Sequence, residues 1–108
     1  MKIIDTHIHI FDINRNIPWP PSDNPLLYQT TLPAHIREVS SESGVTGAVA
    51  VECSDRYEDN LRALEMAEKD DFILGFIGNL EPADRDFPSR LEQLEKLSKE
   101  LKDINPAN

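Results

Sequence analysis

The sequence predicts an α/β fold, in which parallel strands alternate with helices, and three observations lead to it. Three short apolar runs are separated by segments whose apolar residues recur every three or four positions, which is helical spacing. The runs are short and rich in β-branched residues, as strands are. The order strand, helix, strand, helix, strand, helix favours parallel strands joined by right-handed crossovers. A length of 108 residues suits one domain, predicted to span 1–108.

The first strand is predicted from residue 2 to about residue 10, where apolar and polar residues alternate. Successive strand side chains point to opposite faces, so Asp5, His7 and His9 are expected on one face. The other face is expected to carry Ile4, Ile8 and Ile10.

A long segment without regular structure is predicted next, at 12–32. Proline removes a backbone donor and fixes φ, which excludes a helix or a central strand there. The prolines concerned are Pro18, Pro20, Pro21, Pro25 and Pro33. A loop of this length in a compact domain is usually functional.

The first helix is predicted directly after Pro33, a residue that suits a first helical turn, and it ends at Gly44. Ile36 and Val39 are expected to be its buried residues. The second strand is predicted at 47–53, a nearly continuous apolar run typical of strands buried on both faces.

Asp55 and Glu58 have the spacing of a capping box, which predicts a second helix running to about Lys69. Its apolar face is expected to contain Tyr57, Leu61 and Leu64. A third strand is predicted at 72–78. The last helix is predicted from about Pro88 to the tail at 105–108, with leucines at helical spacing. These are Leu91, Leu94, Leu97 and Leu101.

Composition narrows the classes of partner. With 39% hydrophobic and 29% charged residues, the chain has the balance of a soluble globular protein, and its apolar runs are too short to span a membrane. A formal net charge of −9 disfavours nucleic acid and anionic membranes as partners. The start has no secretory pattern and Cys53 is the one cysteine, so a cytoplasmic location is predicted.

His7 and His9 carry the clearest chemical signal. Two imidazoles on one face of a strand bring their ring nitrogens toward one divalent ion. A nearby carboxylate, Asp5 or Asp12, is placed to orient a histidine through its other ring nitrogen. The pair lies near the carboxyl end of its strand, where parallel α/β proteins place their sites. By itself, a His-x-His pair is weak evidence for a metal site, because it is also found in strands whose polar residues face solvent.

Four stretches together carry a resemblance to a known family. They are IIDTHIHIFD, the Pro18-Trp19-Pro20 of the long loop, SGVTGAVAVECS and FILGFIGNLEP. The chain resembles the amidohydrolase-related family, in particular its lactonase-like branch of fuconolactonases and pyrone-dicarboxylate lactonases, over residues 1 to about 97. The resemblance implies a TIM-type (β/α)8 barrel. A whole barrel needs about 250 residues, so this chain supplies about the first three βα units.

The resemblance also implies an activity and a site. His7 and His9 match the paired histidines that bind a divalent metal, expected to be zinc, with manganese as the alternative and some members needing little metal. Trp19 is expected to contact substrate as part of a covering loop or, as the alternative, to pack the loop onto the barrel, and Asp5 remains the carboxylate placed to orient a histidine. The implied reaction is metal-dependent hydrolysis of a small molecule, a lactone or similar cyclic ester or amide. The catalytic residues and remaining ligands are expected beyond the end of this chain.

A second hypothesis is non-catalytic. A catalytic zinc takes three protein ligands, and two imidazoles are too few. The chain is then a fragment or subunit that associates through the open edge of its third strand, with copies of itself or with a partner that completes the barrel.

Other polar residues are weaker candidates. His35 is expected to be a surface residue of the first helix. Cys53 is expected to be a core residue rather than a nucleophile. Asp55, Asn79 and Glu81 follow strand ends and are candidates for substrate contact.

Overall fold

A computed structural model describes residues 2–15 and 17–104 of the chain. Within this part, the fold is α/β, with three strands that alternate with helices, as the sequence predicts. The strands are β1 (Ile3–Ile8), β2 (Val45–Val51) and β3 (Ile73–Ile77), and the helices are α1 (Pro33–Ser40), α2 (Tyr57–Glu68) and α3 (Phe87–Ile104). The sheet is all-parallel in the order β1-β2-β3, consistent with the first βα units of a TIM-type barrel. The tail predicted to end the last helix, 105–108, lies outside the described residues.

The helices cover one face of the sheet. On that face Ala48 and Ala50 are fully buried, and they pack in one cluster with apolar residues of α1, α2 and the strands. The other members are Ile8, Ile10, Ala67, Phe72 and Ile73, with Ile36, Val45, Met66 and Phe76 packed against them. Small alanines at the centre of β2 let α2 approach the sheet closely, so the core lies between the sheet and its helices.

The opposite face of the sheet is only partly covered, and we call it the open face. Its residues are Ile4, Gly47, Val49, Val51, Leu74 and Ile77. A Cβ atom at Gly47 would lie 2.7 Å from the Leu74 side chain, so a larger residue there would require the Leu74 side chain to move. Ile4, Leu74 and Ile77 remain 38%, 59% and 54% exposed, which makes this an apolar surface without a full cover.

An irregularity in β1 changes the predicted faces of the first strand. Asp5 pairs with Ala48 and Ile8 pairs with Ala50, so three steps along β1 match two along β2. Paired residues of parallel strands point to the same side, which places both Asp5 and Ile8 on the face that the helices cover. Asp5 therefore does not share the face of His9. Ile4 lies on the other face of the sheet from Ile8, next to Gly47 on the open face.

Two predictions about helices are wrong. Val39 is 76% exposed rather than buried, because α1 turns Pro33 and Ile36 toward the protein interior and Val39 toward solvent. The predicted capping box of Asp55 and Glu58 does not form. The α2 N-cap is Arg56, and the Arg56 backbone N–H donates to the Ser54 hydroxyl instead.

The segment at 12–32 has no strand or α-helix among its described residues, as predicted, apart from a short 3₁₀ turn at Ile13–Arg15 and an isolated bridge at Thr31. Its two ends are joined. Phe11 and Thr31 exchange both backbone hydrogen bonds, at 2.8 and 2.9 Å, and the Thr30 hydroxyl donates to Asp12. The segment is therefore a closed loop that begins and ends beside the carboxyl end of β1.

Side-chain contacts attach the outer helices. Arg37 of α1 pairs with Asp70 and Asp71 and lies over the Phe72 ring, which fastens α1 to the start of β3. On the other side, the Tyr57 hydroxyl donates to Gln93 of α3 at 2.5 Å. None of the helices in the described ranges is long and apolar enough to cross a membrane.

Candidate functional site

The two histidines lie together where β1 ends. Their ring centroids are 5.1 Å apart and their planes are nearly perpendicular, at 88°. His9 follows the last residue of the strand and is half-buried, whereas His7 is exposed. Because Ile8 between them faces the helices, both imidazoles project to the side of the open face, at the carboxyl edge of the parallel sheet.

A backbone carbonyl fixes the His9 ring. His9 Nδ1 lies 2.8 Å from the carbonyl oxygen of Val51, the last residue of β2. A carbonyl oxygen only accepts hydrogen bonds, so Nδ1 carries the hydrogen and donates it. In the neutral ring the lone pair is then on Nε2, which is the arrangement of a histidine ready to bind a metal.

Aromatic rings form a row behind this edge. The Trp19 ring centroid lies 5.4 Å from that of His9 and 5.7 Å from that of Phe11, both in edge-to-face arrangements. Phe11 is buried and Trp19 half-buried. The predicted loop tryptophan therefore lies directly against one of the predicted metal ligands.

The two carboxylates considered as orienting groups bond elsewhere. Asp5 accepts the backbone N–H of His7 at 3.1 Å. Asp12 accepts the backbone N–H of Asn14 at 2.9 Å, and this bond is the main reason why the pKa of Asp12 is lowered. For His9, the orienting group in the structure is the Val51 carbonyl.

A second group of polar residues lies at the end of β2. Glu52 is 7% exposed, and its Oε1 atom accepts the backbone N–H groups of Cys53 and Ser54 at 2.8 and 3.0 Å. Burial raises the pKa of Glu52 more strongly than these bonds lower it. Burial and the neighbouring Glu52 together raise the pKa of Cys53 to about 12. The Cys53 thiol is therefore protonated at neutral pH and a poor nucleophile.

The start of α2 is organised by Asp59. The Ser54 hydroxyl and the Arg56 guanidinium both donate to Asp59 Oδ2 at 2.6 Å. The other oxygen, Oδ1, is buried without a hydrogen-bond partner and lies 3.6 Å from the Arg62 guanidinium. A cavity of about 220 Å³ borders these residues between α2 and the segment after β1.

Asn60 joins two strand ends, and the sequence analysis missed it. Its side chain is fully buried in α2 and makes four hydrogen bonds. It donates to the carbonyls of Ser54, Arg56 and Asn79, and it accepts the Asn79 backbone N–H at 2.8 Å. An asparagine inside a segment of otherwise good helix-forming residues is the signal that could have revealed it, since asparagine competes with the helix backbone for hydrogen bonds.

His35, Asp55 and Glu81 lie outside this arrangement. His35 Nδ1 accepts the Leu32 backbone N–H at 3.0 Å at the start of α1, and its side chain is exposed as predicted. Asp55 and Glu81 are exposed. Across 2–15 and 17–104, no three His, Cys, Asp or Glu side chains are close enough together to hold a metal ion.

The larger cavity lies away from the histidines. It has a volume of about 560 Å³ and runs between β3 and α3. Its lining is largely apolar and includes Leu74 and Phe76 of β3 and Leu91 and Leu94 of α3. We call it the β3–α3 groove.

Comparison of the chain with models of protein families, with curated proteins and with solved structures finds no match in any of the three.

Proposed function

We propose that this chain is the amino-terminal part of a metal-dependent hydrolase of the amidohydrolase-related, lactonase-like type. In this proposal it acts in the cytoplasm on a lactone or similar cyclic ester or amide. His7 and His9 bind the metal, and further ligands and the catalytic base come from strands that are not part of this chain. The histidine pair at the carboxyl edge of a parallel sheet is the feature that supports the proposal best.

The hydrogen bond from His9 to Val51 carries the argument. A histidine that merely faces solvent has no need of a fixed ring, yet Nδ1 of His9 is held at 2.8 Å by a main-chain carbonyl. The fixed ring leaves Nε2 available beside His7. Metal-binding histidines typically donate their second ring nitrogen to such a partner.

The donor set fits a divalent metal in kind but not in number. Neutral imidazole suits zinc, and manganese accepts it as well. A catalytic zinc uses three protein ligands and keeps one position for water or substrate, so His7 and His9 supply two of three. When bound, the metal would supply Lewis-acid polarisation of a carbonyl or an activated water. The residues of this chain would hold the ion and, through Trp19, border the space beside it.

Calorimetric titration with Zn²⁺ and with Mn²⁺ tests the proposal. The unmodified chain is expected to bind Zn²⁺ with micromolar affinity, with water completing the coordination. The double variant His7→Ala/His9→Ala is expected to lose this binding, because both nitrogen ligands are gone. Circular dichroism of the variant checks that the fold is retained.

The third histidine provides the matched control. His35→Ala removes an exposed imidazole on α1 and is expected to leave Zn²⁺ binding unchanged. If the double variant binds as well as the unmodified chain, or if His35→Ala abolishes binding, the histidine pair is not the metal site and the proposal fails.

A second candidate function has its own observation in favour. β3 is an edge strand in the described sheet, with Leu74 and Ile77 exposed and the apolar β3–α3 groove beside it. We propose as the alternative that the chain is a non-catalytic fragment or subunit that associates through this edge. The partner is a second copy or a separate chain that completes the barrel.

A further inference from the structure

We infer that Trp19 is a positioning residue for His9. Its indole keeps the imidazole turned so that Nδ1 donates to the Val51 carbonyl and Nε2 stays free at the edge of the sheet. The inference rests on the proposed function, because it gives His9 the task of binding a metal ion. It adds to the expected substrate contact a role for Trp19 in the metal site itself.

The His9 ring is restrained on three sides. Val51 binds one ring nitrogen at 2.8 Å. The Trp19 ring approaches at a centroid distance of 5.4 Å and an interplanar angle of 62°, and the His7 ring approaches at 5.1 Å and 88°. Edge-to-face contacts of this kind are specific in direction, so they limit rotation of the imidazole.

Trp19 is itself anchored to the core. Its ring contacts that of Phe11 at 5.7 Å, and Phe11 is only 8% exposed. Phe11 is fixed further by its two backbone hydrogen bonds to Thr31. Pro20, next to Trp19, is fully buried. A rigid path therefore runs from the core through Phe11 and Trp19 to His9, which a loop residue serving only as a movable cover would not need.

The restraint matters because imidazole has two neutral tautomers. Metal binding through Nε2 requires the hydrogen on Nδ1, and a partner that fixes this state raises metal affinity. Removing groups that orient a ligand typically lowers metal affinity by about 10- to 100-fold. Loss of the indole would free the His9 ring to turn away from Val51. The metal affinity is therefore expected to fall by part of this factor.

Nuclear magnetic resonance of the ring nitrogens tests the inference without any metal. In the unmodified chain at high pH, His9 is expected in the Nδ1–H tautomer. His35 provides an internal reference for the opposite state, because its Nδ1 accepts the Leu32 N–H and its hydrogen is therefore on Nε2. In Trp19→Ala, His9 is expected to become a mixture of tautomers, whereas His35 stays unchanged.

Zn²⁺ affinity provides the second readout. Trp19→Ala is expected to raise the Kd about tenfold. Trp19→Phe keeps an aromatic edge against His9 and is expected to restore both the tautomer and the affinity. Tyr28→Ala is the matched control, since Tyr28 is an aromatic residue of the same loop and the described rings that contact Trp19 are those of His9 and Phe11.

The outcomes separate the two proposals. If Trp19→Ala keeps the Nδ1–H tautomer of His9, the positioning role is overturned, whatever zinc does. If the unmodified chain binds no zinc, the proposed function fails, and the tautomer measurement still decides the role of Trp19. If Trp19→Ala does not fold, Trp19→Leu replaces it. Equal behaviour of Trp19→Leu and Trp19→Phe would then overturn the inference, because an aromatic edge would not be needed.

Discussion

Glu52 is a carboxylic acid held in the interior at the end of β2. Two backbone N–H groups bind its Oε1 atom, yet desolvation dominates and its pKa lies above the usual value of 4.5. A raised pKa means that the folded chain binds the proton more tightly than the unfolded chain does. The free energy of unfolding therefore loses a contribution as pH rises from about the unfolded pKa through the folded one.

Glu52→Gln is expected to remove this pH dependence. The amide keeps an oxygen for the N–H groups of Cys53 and Ser54 and carries no charge to desolvate. Near pH 4 the variant and the unmodified chain are expected to have similar stability. Toward pH 7 the variant is expected to become the more stable of the two, as measured by urea unfolding at a series of pH values.

An exposed glutamate of α3 gives the control for this measurement. Glu92→Gln removes the same charge from an exposed position, and at pH 7 it is expected to change the free energy of unfolding less than Glu52→Gln does, because water already solvates the Glu92 side chain. A Glu52→Gln variant that loses stability as pH rises would mean that Glu52 is stabilised by its charge, contrary to the sign argued here.

At the scale of elements, one buried side chain holds α2 to the ends of two strands. Asn60 bonds both the loop after β2, through Ser54 and Arg56, and the loop after β3, through Asn79. The backbone groups of these loops lie beyond the strands, so strand pairing does not supply their hydrogen bonds. The four bonds of one asparagine therefore define the spacing of the loops at the carboxyl edge.

Asn60→Ala is expected to lower the free energy of unfolding by about 3 kcal/mol, because it removes the side-chain partner of the Ser54 carbonyl and of the backbone N–H and carbonyl of Asn79. Chemical denaturation measures this loss. Asn24→Ala is the matched control, since Asn24 also accepts backbone N–H groups, from Leu26 and Leu27, but at exposed positions where water replaces it. A loss as small as that of Asn24→Ala would show that the four bonds around Asn60 contribute little.

The elements also show what the sequence can predict and what it cannot. Hydrophobic periodicity located the strands and helices to within a few residues, because it reflects which side of each element is buried. It could not reveal that β1 gains a residue against β2 between Asp5 and Ile8, since pairing register depends on the neighbouring strand. The prediction of a capping box at the start of α2 was wrong for a similar reason. Ser54 satisfies the Arg56 backbone N–H only once Asp59 has fixed its hydroxyl.

The candidate site was predictable to a different degree. The proposed ligand pair, His7 and His9, is visible in the sequence because the two residues are separated only by Ile8, at the end of β1. The groups that orient His9 are not, since the Val51 carbonyl is 42 residues away along the chain and any residue type provides a carbonyl. Trp19 was identified as a site residue, but its contact with a histidine required the loop to fold back.

At the scale of the whole molecule, helices cover one face of the sheet and leave the other face exposed. The helices bury the face of Ala48 and Ala50, whereas the open face and the edge of β3 expose Leu74 and Ile77. Edge strands with apolar side chains tend to pair with further strands. The β3–α3 groove lies along this edge and adds an apolar surface to it.

The chain is accordingly expected to self-associate as its concentration rises when no other partner is present. Leu74→Lys is expected to weaken this association at least about tenfold, because burial of a leucine contributes roughly 1.5–3 kcal/mol and a lysine on an edge strand opposes pairing. Sedimentation equilibrium measures the change.

Val39→Lys is the matched control for association. Val39 is an exposed apolar residue that belongs to α1 and not to the β3 edge, and its replacement is expected to leave the association constant unchanged. Association that is equally weak in both variants would point to a surface other than the β3 edge. An unmodified chain that stays monomeric throughout would exclude self-association as the alternative function.

The paired hydrogen bonds between Phe11 and Thr31 hold the two ends of the proline-rich loop together, so the geometry of the first strand does not depend on the length of the loop. Because the loop is tied at both ends, insertions or deletions near its outermost part, where Leu26 is 85% exposed, need not displace the imidazoles. The outermost part of the loop can therefore change during evolution without moving the two histidines. A loop that is fixed at both ends in this way combines an outer part that can vary with a base that stays constant.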